Sequence, residues 1–576
     1  MKKPTIWGQG SLFAFSGIEG ECTISKSLKG YLCEDVYGVT FELPVRRTLS
    51  LSLTGIRDVK HEIVASDIIA SNIKNRDKSE KRISITMYKQ DIVVGLCTEE
   101  VQPKIFTHQD VEEYILNEIK IQKDIDNSKI ITALGIKKMR ECYIYAFAVA
   151  ETEADVLDKV SEGLGIDVED TENRRMEFFE KLPYPEKLDD KVEMTMAKCY
   201  SIMKSQVYSP EGIFKSLWTT PDKLPHKRLW LWDSIFHSIG NKYISTDLAL
   251  QSIMSLLDTQ RDDGFIPHMS APNESSNITQ PPVIAWGLYE LYKMTNDANI
   301  LKDNFCALKK YLEWNINNRD INNNNLFEWF VQKESVHCRC DECGMDNSPR
   351  FDNVVEMDCI DFSCFMANEA KYMAMIAEAI SLSDEALRWA NYYEIVKNAI
   401  NDNLWDEEDE LYYDKIIPSD MYKKVKAVSS FLPIFAGVCD DEIAGKLVKR
   451  LKDNIDFGSE LPVPSISLSD ETFGSDMWRG PVWINYNYMI IKGLNQYGYI
   501  DLANEIREKT IKAITKWYHQ DGCIYEYYDS YNLISPSKLT RKGEALKPYD
   551  FRIRTQCIRD YGWSASLFIA MVMESC

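Results

Sequence analysis

The stretch ValTrpIleAsnTyrAsnTyrMetIleIle, residues 482–491, is apolar or small nearly all the way round a helix, the mark of a helix with neighbours on every side. TrpSerAlaSerLeuPheIleAlaMetValMet (563–573) has the same character. Other helix-period segments differ. Over 297–316, Leu301, Phe305, Leu308 and Leu312 form one stripe while Lys302, Lys309, Lys310 and Glu313 fall elsewhere, so that helix lies outside. The helical period predicts twelve helices, at about 191–208, 230–243, 245–260, 281–295, 297–316, 361–380, 383–404, 424–438, 440–453, 481–497, 500–518 and 560–574. Outer and inner kinds alternate. Connections from an inner helix to the next outer one are ~1–2 residues, and those in the other direction run ~19–44, far above the usual length. This alternation predicts an all-α (α/α)6 toroid barrel over 191–576, with its long loops, and hence its site, on one rim.

Before residue 152 the period is two. Leu49, Leu51 and Leu53 alternate with Thr48, Ser50 and Ser52, and Ile83, Ile85 and Met87 with Arg82, Ser84 and Thr86. Further runs at 12–15, 36–43 and 142–149, broken by Gly, Asn and Asp, make an antiparallel β-sandwich the expected fold of 1–152. Residues 153–190 turn polar and helical, ending at LysLeuProTyrProGluLysLeu, where two prolines forbid a continuous helix. That stretch reads as a helical linker between the two domains.

Composition narrows the function. With 89 acidic against 67 basic residues and a net charge of -22, the surface repels nucleic acid phosphates and anionic lipid, so neither is an expected partner and a neutral small molecule is. No segment has the ~20 apolar residues of a membrane span, and the first ten residues hold no apolar run of signal-peptide length. Fifteen cysteines, an odd number, occur in apparent core segments such as Cys199, Cys306 and Cys364, which suits a reducing compartment and a cytoplasmic location.

The polar and aromatic clusters fall in the long loops or at the start of the inner helix that follows. They are LeuTrpLeuTrpAspSerIlePheHis (229–237), AspAspGlyPheIleProHis (262–268) with ThrGlnProPro (279–282), AspGluCysGlyMetAspAsnSerProArgPheAsp (341–352), TrpArgGlyProValTrp (478–483) and CysIleTyrGluTyrTyrAsp (523–529). Carboxylates, Trp and Tyr faces and an Arg on one rim are what glycosidic bond cleavage requires: two acids across the bond and surfaces for stacking rings. In this order the motifs resemble those of glycoside hydrolase family 63 and, more distantly, the trehalases of family 37. The resemblance implies that Asp346 is the general acid and Glu526 the general base, and that Trp232, Asp233, Gln280, Arg479 and Trp483 line the sugar subsite. It implies an inverting exo-acting α-glycosidase, needing no cofactor, for a small α-glucoside or related oligosaccharide, the hexosyl glycerates among them. A trehalase-like hydrolase, a carbohydrate-binding protein without catalysis and a phosphorylase on the same barrel are the alternatives.

Taken singly, these residues have plainer readings. Asp346 is a turn aspartate, Asp233 a helix cap and the tryptophans core. By chemistry alone Glu334, Glu342, Asp352 and Asp529 rival Glu526, and His237 and His268 read as structural or sugar-contacting. Ahead of the acid, HisCysArgCysAspGluCys (337–343) departs from the family. Cys338, Cys340 and Cys343, with His337 or Cys359, could hold a structural zinc, but the paired CysXaaXaaCys spacing is lacking, so free thiols in a long loop are expected.

Overall fold

The computed structural model describes residues 12–15, 36–43, 47–54, 56–64, 68–89, 91–98, 110–125, 130–208, 210–222, 226, 228–332, 339–354, 356–542 and 557–575. The chain forms two compact units, one of Met1–Ser209 with short returns at 521–523 and 548–552, the other of the remaining residues from Pro210 to Cys576.

In the first unit the period-two segments are strands. β1 (Leu12–Phe15), β2 (Val36–Leu43) and β3 (Arg47–Thr54) pair in order as an antiparallel sheet. β4 (Ile56–Val64), β5 (Ile68–Asn75), β6 (Glu80–Lys89), β7 (Ile92–Cys97), β8 (Val111–Leu116), β9 (Ile119–Asp124), β10 (Ile131–Lys138) and β11 (Tyr143–Ala150) form an eight-stranded sheet in the order β4-β5-β6-β7-β11-β10-β9-β8. The polar segment after it is helical, as expected: α1 (Glu153–Gly165) and α2 (Val168–Glu180). Thr152 caps α1 by accepting the Asp155 N–H, and α1 lays Val156 and Val160 on Ile92, Val94, Ala133 and Ala146 of the larger sheet. α3 (Asp190–Ser205), the first helix expected of the barrel, groups with this unit. The reason is local: the Tyr200 hydroxyl donates to the Pro183 carbonyl at 2.6 Å, and its ring stands edge-on to Tyr184 at 5.5 Å.

The second unit holds α4 (Leu231–Ile244), α5 (Thr246–Leu257), α6 (Ile284–Thr295), α7 (Ala298–Asn318), α8 (Ile360–Ala379), α9 (Ser383–Leu404), α10 (Leu432–Ala436), α11 (Asp441–Lys452), α12 (Ile484–Gln496), α13 (Ile500–Asp521) and α14 (Gly562–Met573). One is shorter than expected. Residues 424–438 make a 3-10 turn (Val428–Phe431) and the five-residue α10, because Ala427 bridges to Ile466, Pro433 opens the helix and Gly437 at φ 74° closes it. The apolar helices pack in cyclic order, α4 on α6, α6 on α8, α8 on α10, α10 on α12, α12 on α14, and α14 back on α4. The amphipathic helices α5, α7 and α9 pack against them.

The contact of α14 on α4 depends on a glycine. A Cβ on Gly240 would strike Ser566 Oγ and lie 2.7 Å from its Cα, and the Gly240 N–H donates to that hydroxyl at 2.9 Å. Gly240→Ala therefore has to push two helices apart, an overpacking that costs about 1–3 kcal/mol. A lowered midpoint of urea unfolding is the expected result; an unchanged midpoint would show that the helices can part freely. No helix among the described residues is long and apolar enough to cross a membrane.

Candidate active site

The loop before α8 carries the first acid. Gly344, at φ 71°, takes a left-handed turn under the indole of Trp232, whose ring a Cβ there would strike. Two residues on, Asp346 reaches a cavity of about 380 Å³ and pairs through Oδ2 with Lys542 Nζ at 2.5 Å. Asn347 and Ser348 fix the loop. The Asn347 side chain donates to Asp476 Oδ2 at 3.0 Å and accepts the Trp478 N–H at 3.0 Å, while Ser348 caps the 3-10 turn Pro349–Phe351. Arg350, buried in that turn, is held by Asp361 and Asp414.

The loop before α14 carries the second acid. Glu526 is buried, hangs by its N–H on the Ile558 carbonyl at 3.0 Å, and receives Arg541 Nε at 3.1 Å. It faces the same cavity. So do Trp232, Asp233, Gln280 and Trp483, with His226, His268, Asp341, Lys542, Tyr561 and Trp563 around them. The indoles of Trp232 and Trp563 stand at right angles 5.3 Å apart, and Trp483 meets Tyr527 at 4.8 Å. Such an aromatic wall beside four carboxylates and two cations suits a polyhydroxylated ring with apolar C–H faces.

Asp233 does not cap α4; Trp230 occupies that position without a side-chain cap, and Asp233 lies in the first turn. Burial pushes its carboxyl well above the usual range, the Glu526 charge adds to this, and the Tyr561 hydroxyl donating at 3.3 Å opposes it. Burial likewise lowers His268 to about 4, so its imidazole, bonded to Ser276 Oγ at 2.5 Å, is neutral near pH 7. His237 lies off the cavity, bonded to Thr219 Oγ1 at 2.9 Å, with a pKa brought down to about 3 by burial.

Arg479, expected in the sugar subsite, is not among the lining residues. Its Nη2 meets both oxygens of Asp352 at 2.8 Å, and its Nε donates to the Asn347 carbonyl at 2.9 Å, so it binds the acid loop to the 476–483 turn. Asp352 is thereby engaged as its counter-ion. Of the other rivals, Glu342 accepts the N–H groups of Thr279 and Phe330 and pairs with Arg319, and Asp529 accepts those of Leu533 and Ile534. Glu334 lies outside the described residues.

Cys340 and Cys343 are among the described residues, and both are buried. Cys343 Sγ donates to the Cys340 carbonyl at 3.2 Å, Cys340 Sγ to that of Phe330 at 3.7 Å, and burial raises both thiol pKa values. Cys338 and His337 lie outside the described residues. Cys359, Asp361 and Asp414 come close enough to hold a metal, but Arg350 already occupies both carboxylates. Cys199 and Cys364 are buried as expected, whereas Cys306 is exposed.

Residues no motif singled out complete the site. Arg541 and Lys542 sit in a long loop without periodicity, Tyr561 and Trp563 open an inner helix that reads as core, and His226 is held by Asp222 at 2.6 Å.

Several known proteins resemble this chain in sequence or fold. The family model of the mannosylglycerate hydrolase MGH1-like glycoside hydrolase domain matches residues 225–532, just over half the chain. A mannosylglycerate hydrolase of Rubrobacter radiotolerans is 24% identical over 62% of this chain and 92% of its own. A probable mannosyl-oligosaccharide glucosidase of Schizosaccharomyces pombe is 24% identical over 58% of this chain, which spans only 50% of that protein. Among solved structures, the family 63 mannosylglycerate hydrolase of Thermus thermophilus in complex with glucose superposes with a TM-score of 0.53 at 21% identity, over 65% of this chain and 99% of its own. A bacterial glucoamylase complexed with acarbose gives 0.58 at 10% identity over 100% of this chain and 95% of its own.

Proposed function

We propose, from the premise that this chain belongs to glycoside hydrolase family 63 through its mannosylglycerate hydrolase MGH1-like domain, that it is an inverting, exo-acting glycosidase with Asp346 as acid and Glu526 as base. The carrying observation is that Asp346 and Glu526 reach one aromatic cavity from two different loops, each against its own cation. Asp346 gives its proton to the leaving oxygen while Glu526 draws a proton from a water attacking the opposite ring face. Asp233, whose carboxyl pKa burial raises, offers a hydrogen-bonding group to a sugar hydroxyl, and Trp232, Trp483 and Trp563 supply ring-stacking surface. The cyclic packing of the inner helices supports a closed (α/α)6 toroid as the scaffold, and the two antiparallel sheets ahead of it support a β-sandwich.

The pairing of Asp346 with Lys542 bears on the substrate. The Lys542 ammonium on Oδ2 favours the ionised form of Asp346, and an anionic group on the leaving side offers that ammonium another partner, which would let Asp346 keep the proton it gives as acid. A hexosyl hydroxy acid, of the kind named in the mannosylglycerate hydrolase relatives, fits this better than trehalose or an uncharged glucoside. We therefore rank hexosyl glycerates above neutral α-glucosides and trehalose, in place of the neutral substrate that the net charge of -22 suggests, because Arg541 and Lys542 put two cations at the cavity.

The test is a panel of α-linked glucosides and mannosides with glycerate, glucose and longer aglycones, with the first-released anomer followed by NMR. The β-anomer of the freed sugar is expected first, with the carboxylate-bearing aglycones turned over fastest. Initial release of the α-anomer would refute inversion. A panel hydrolysed regardless of aglycone charge would refute the substrate ranking.

A further inference from the structure

Thr540, in the long loop before α14, is fixed from several sides. It forms a parallel bridge with Asp476, its N–H donates to the Ser475 carbonyl at 3.1 Å, and its own carbonyl accepts the Met477 N–H at 3.2 Å and the Tyr527 hydroxyl at 2.5 Å. Asp476 is also the residue to which Asn347 of the acid loop donates at 3.0 Å. The backbone that presents the next residue, Arg541, is therefore set by the acid loop, the 475–477 turn and the segment carrying Glu526 together.

Arg541 is 4% exposed and faces the cavity. Its Nε donates to Glu526 Oε2 at 3.1 Å and its Nη2 to Oε1 at 3.5 Å, so the guanidinium meets the carboxylate edge to edge, one donor to each oxygen. Nη1, on the far edge, is buried and has no hydrogen-bond partner among the described residues. In this Arg541 differs from the guanidiniums that fasten the acid loop. Arg350 forks onto Asp361 and Asp414, and Arg479 joins Asp352 to the Asn347 carbonyl, so each of those ties segments together. Among the described residues, every side-chain hydrogen bond of Arg541 goes to Glu526.

A glutamate carboxylate turns about its last torsion in a broad, two-fold well, so nothing in the side chain of Glu526 itself fixes the plane of its oxygens. Its backbone is held: the N–H lies on the Ile558 carbonyl, and the carbonyl accepts the Ser564 hydroxyl at 3.4 Å and Trp563 Nε1 at 3.5 Å. None of these reaches the carboxylate. An ionised carboxylate has about four lone-pair directions, and the edge-on guanidinium takes one on each oxygen, leaving the remaining pair turned away from it. A base has to accept its proton along one such direction, and misplacement by ~1 Å can cost about 10²-fold in rate.

We propose that Arg541 is the positioning residue of the base: by fixing the plane of the Glu526 carboxylate it holds one free lone pair towards the attacking water. This rests on the reading of Glu526 as the base. Asp346 is the other carboxylate whose charge acts on Arg541, so the experiment has to separate service to the base from service to the acid.

Full-length Arg541→Ala, Arg541→Lys, Glu526→Gln and the double variant Arg541→Ala/Glu526→Gln are compared with the parent on the fastest-cleaved glycoside of the panel and on an aryl glycoside of the same sugar. Arg541→Ala is expected to lose about 10²-fold in kcat with KM changed less than ~3-fold, and the easily leaving phenol should restore none of it. Added to Glu526→Gln, the same change should cost nothing further, because the group it positions has lost its function. Methylguanidinium supplied in solution should return part of the rate to Arg541→Ala and none to the double variant. Arg541→Lys, which keeps the charge and lacks the two-donor edge, should fall between parent and Arg541→Ala. If Arg541→Ala loses its circular dichroism spectrum, Arg541→Lys and its double variant with Glu526→Gln carry the same comparison. A kcat within ~2-fold of the parent in Arg541→Ala, beside a slow Glu526→Gln, would overturn the proposal alone. So would losses that multiply in the double variant, or a loss repaired by the aryl leaving group, which would assign Arg541 to Asp346. Glu526→Gln as fast as the parent would remove the base, and this role with it.

Discussion

Asp346→Asn lowers kcat by about 10²- to 10⁴-fold on glycosides with ordinary sugar leaving groups, the range that a positioned general acid supplies. Asparagine keeps the shape of the side chain and leaves an oxygen for Lys542, so the loop held by Asn347, Ser348 and Arg350 should keep its place. The two acids can then be told apart by leaving group. An aryl glycoside whose phenol leaves easily needs little protonation, so it should regain much of the lost rate in Asp346→Asn. Glu526→Gln, expected to lose a similar factor, should regain none of it, because activation of water is still missing. Near-normal kcat in either variant on natural-type substrates would remove that residue from its role, and equal rescue of both would refute the division of labour. Circular dichroism, unchanged in both, is the control; the unfolding midpoint should hold in Asp346→Asn and fall in Glu526→Gln, which strands the buried Arg541 cation.

The second large effect concerns stability. Arg350 is 1% exposed and forks onto two carboxylates, with Nη1 and Nη2 on Asp361 at 2.6 and 2.9 Å and Nε and Nη2 on Asp414, both at 2.7 Å. Asp414 also accepts the Ile360 N–H at 2.9 Å, at the start of α8. Arg350→Met leaves two buried negative charges without a counter-ion, which destabilises by about 3–5 kcal/mol. Urea unfolding measures this. The triple variant with Asp361→Asn and Asp414→Asn should recover a large part, since it removes the stranded charges along with the cation. A single-variant loss below ~1 kcal/mol would mean that water reaches these acids, and that the acid loop is not anchored through them.

Much of this architecture was legible because helices and strands write their burial into residue spacing. The all-round apolar run at 482–491 became α12 and that at 563–573 became α14, both with neighbours on every side. The period-two segments at 48–53 and 82–87 fell within β3 and β6. At 424–438 helical spacing predicts a longer helix than the chain forms, because Ala427 bridges to Ile466, a long-range pairing that spacing does not encode.

The site divides in the same way. Asp346, Glu526, Trp232, Asp233, Gln280 and Trp483 were marked by their motifs and meet at one cavity. Arg479 was marked by its motif for the sugar subsite, but its partner is Asp352 of another loop, since a guanidinium needs an acceptor and takes the carboxylate that geometry offers it. Arg541 and Lys542 carried no signal, because a cation in an irregular loop reads as solvated surface until the fold sets it against an acid. By itself, then, the sequence determined the order of elements, the inner and outer helices and the motifs from which the site is proposed, all of which depend on local pattern. Which carboxylates share the cavity, and that Asp346 and Glu526 are each held by a neighbouring cation, was decided by tertiary structure alone, because those pairings join loops whose distance in space no spacing along the chain records.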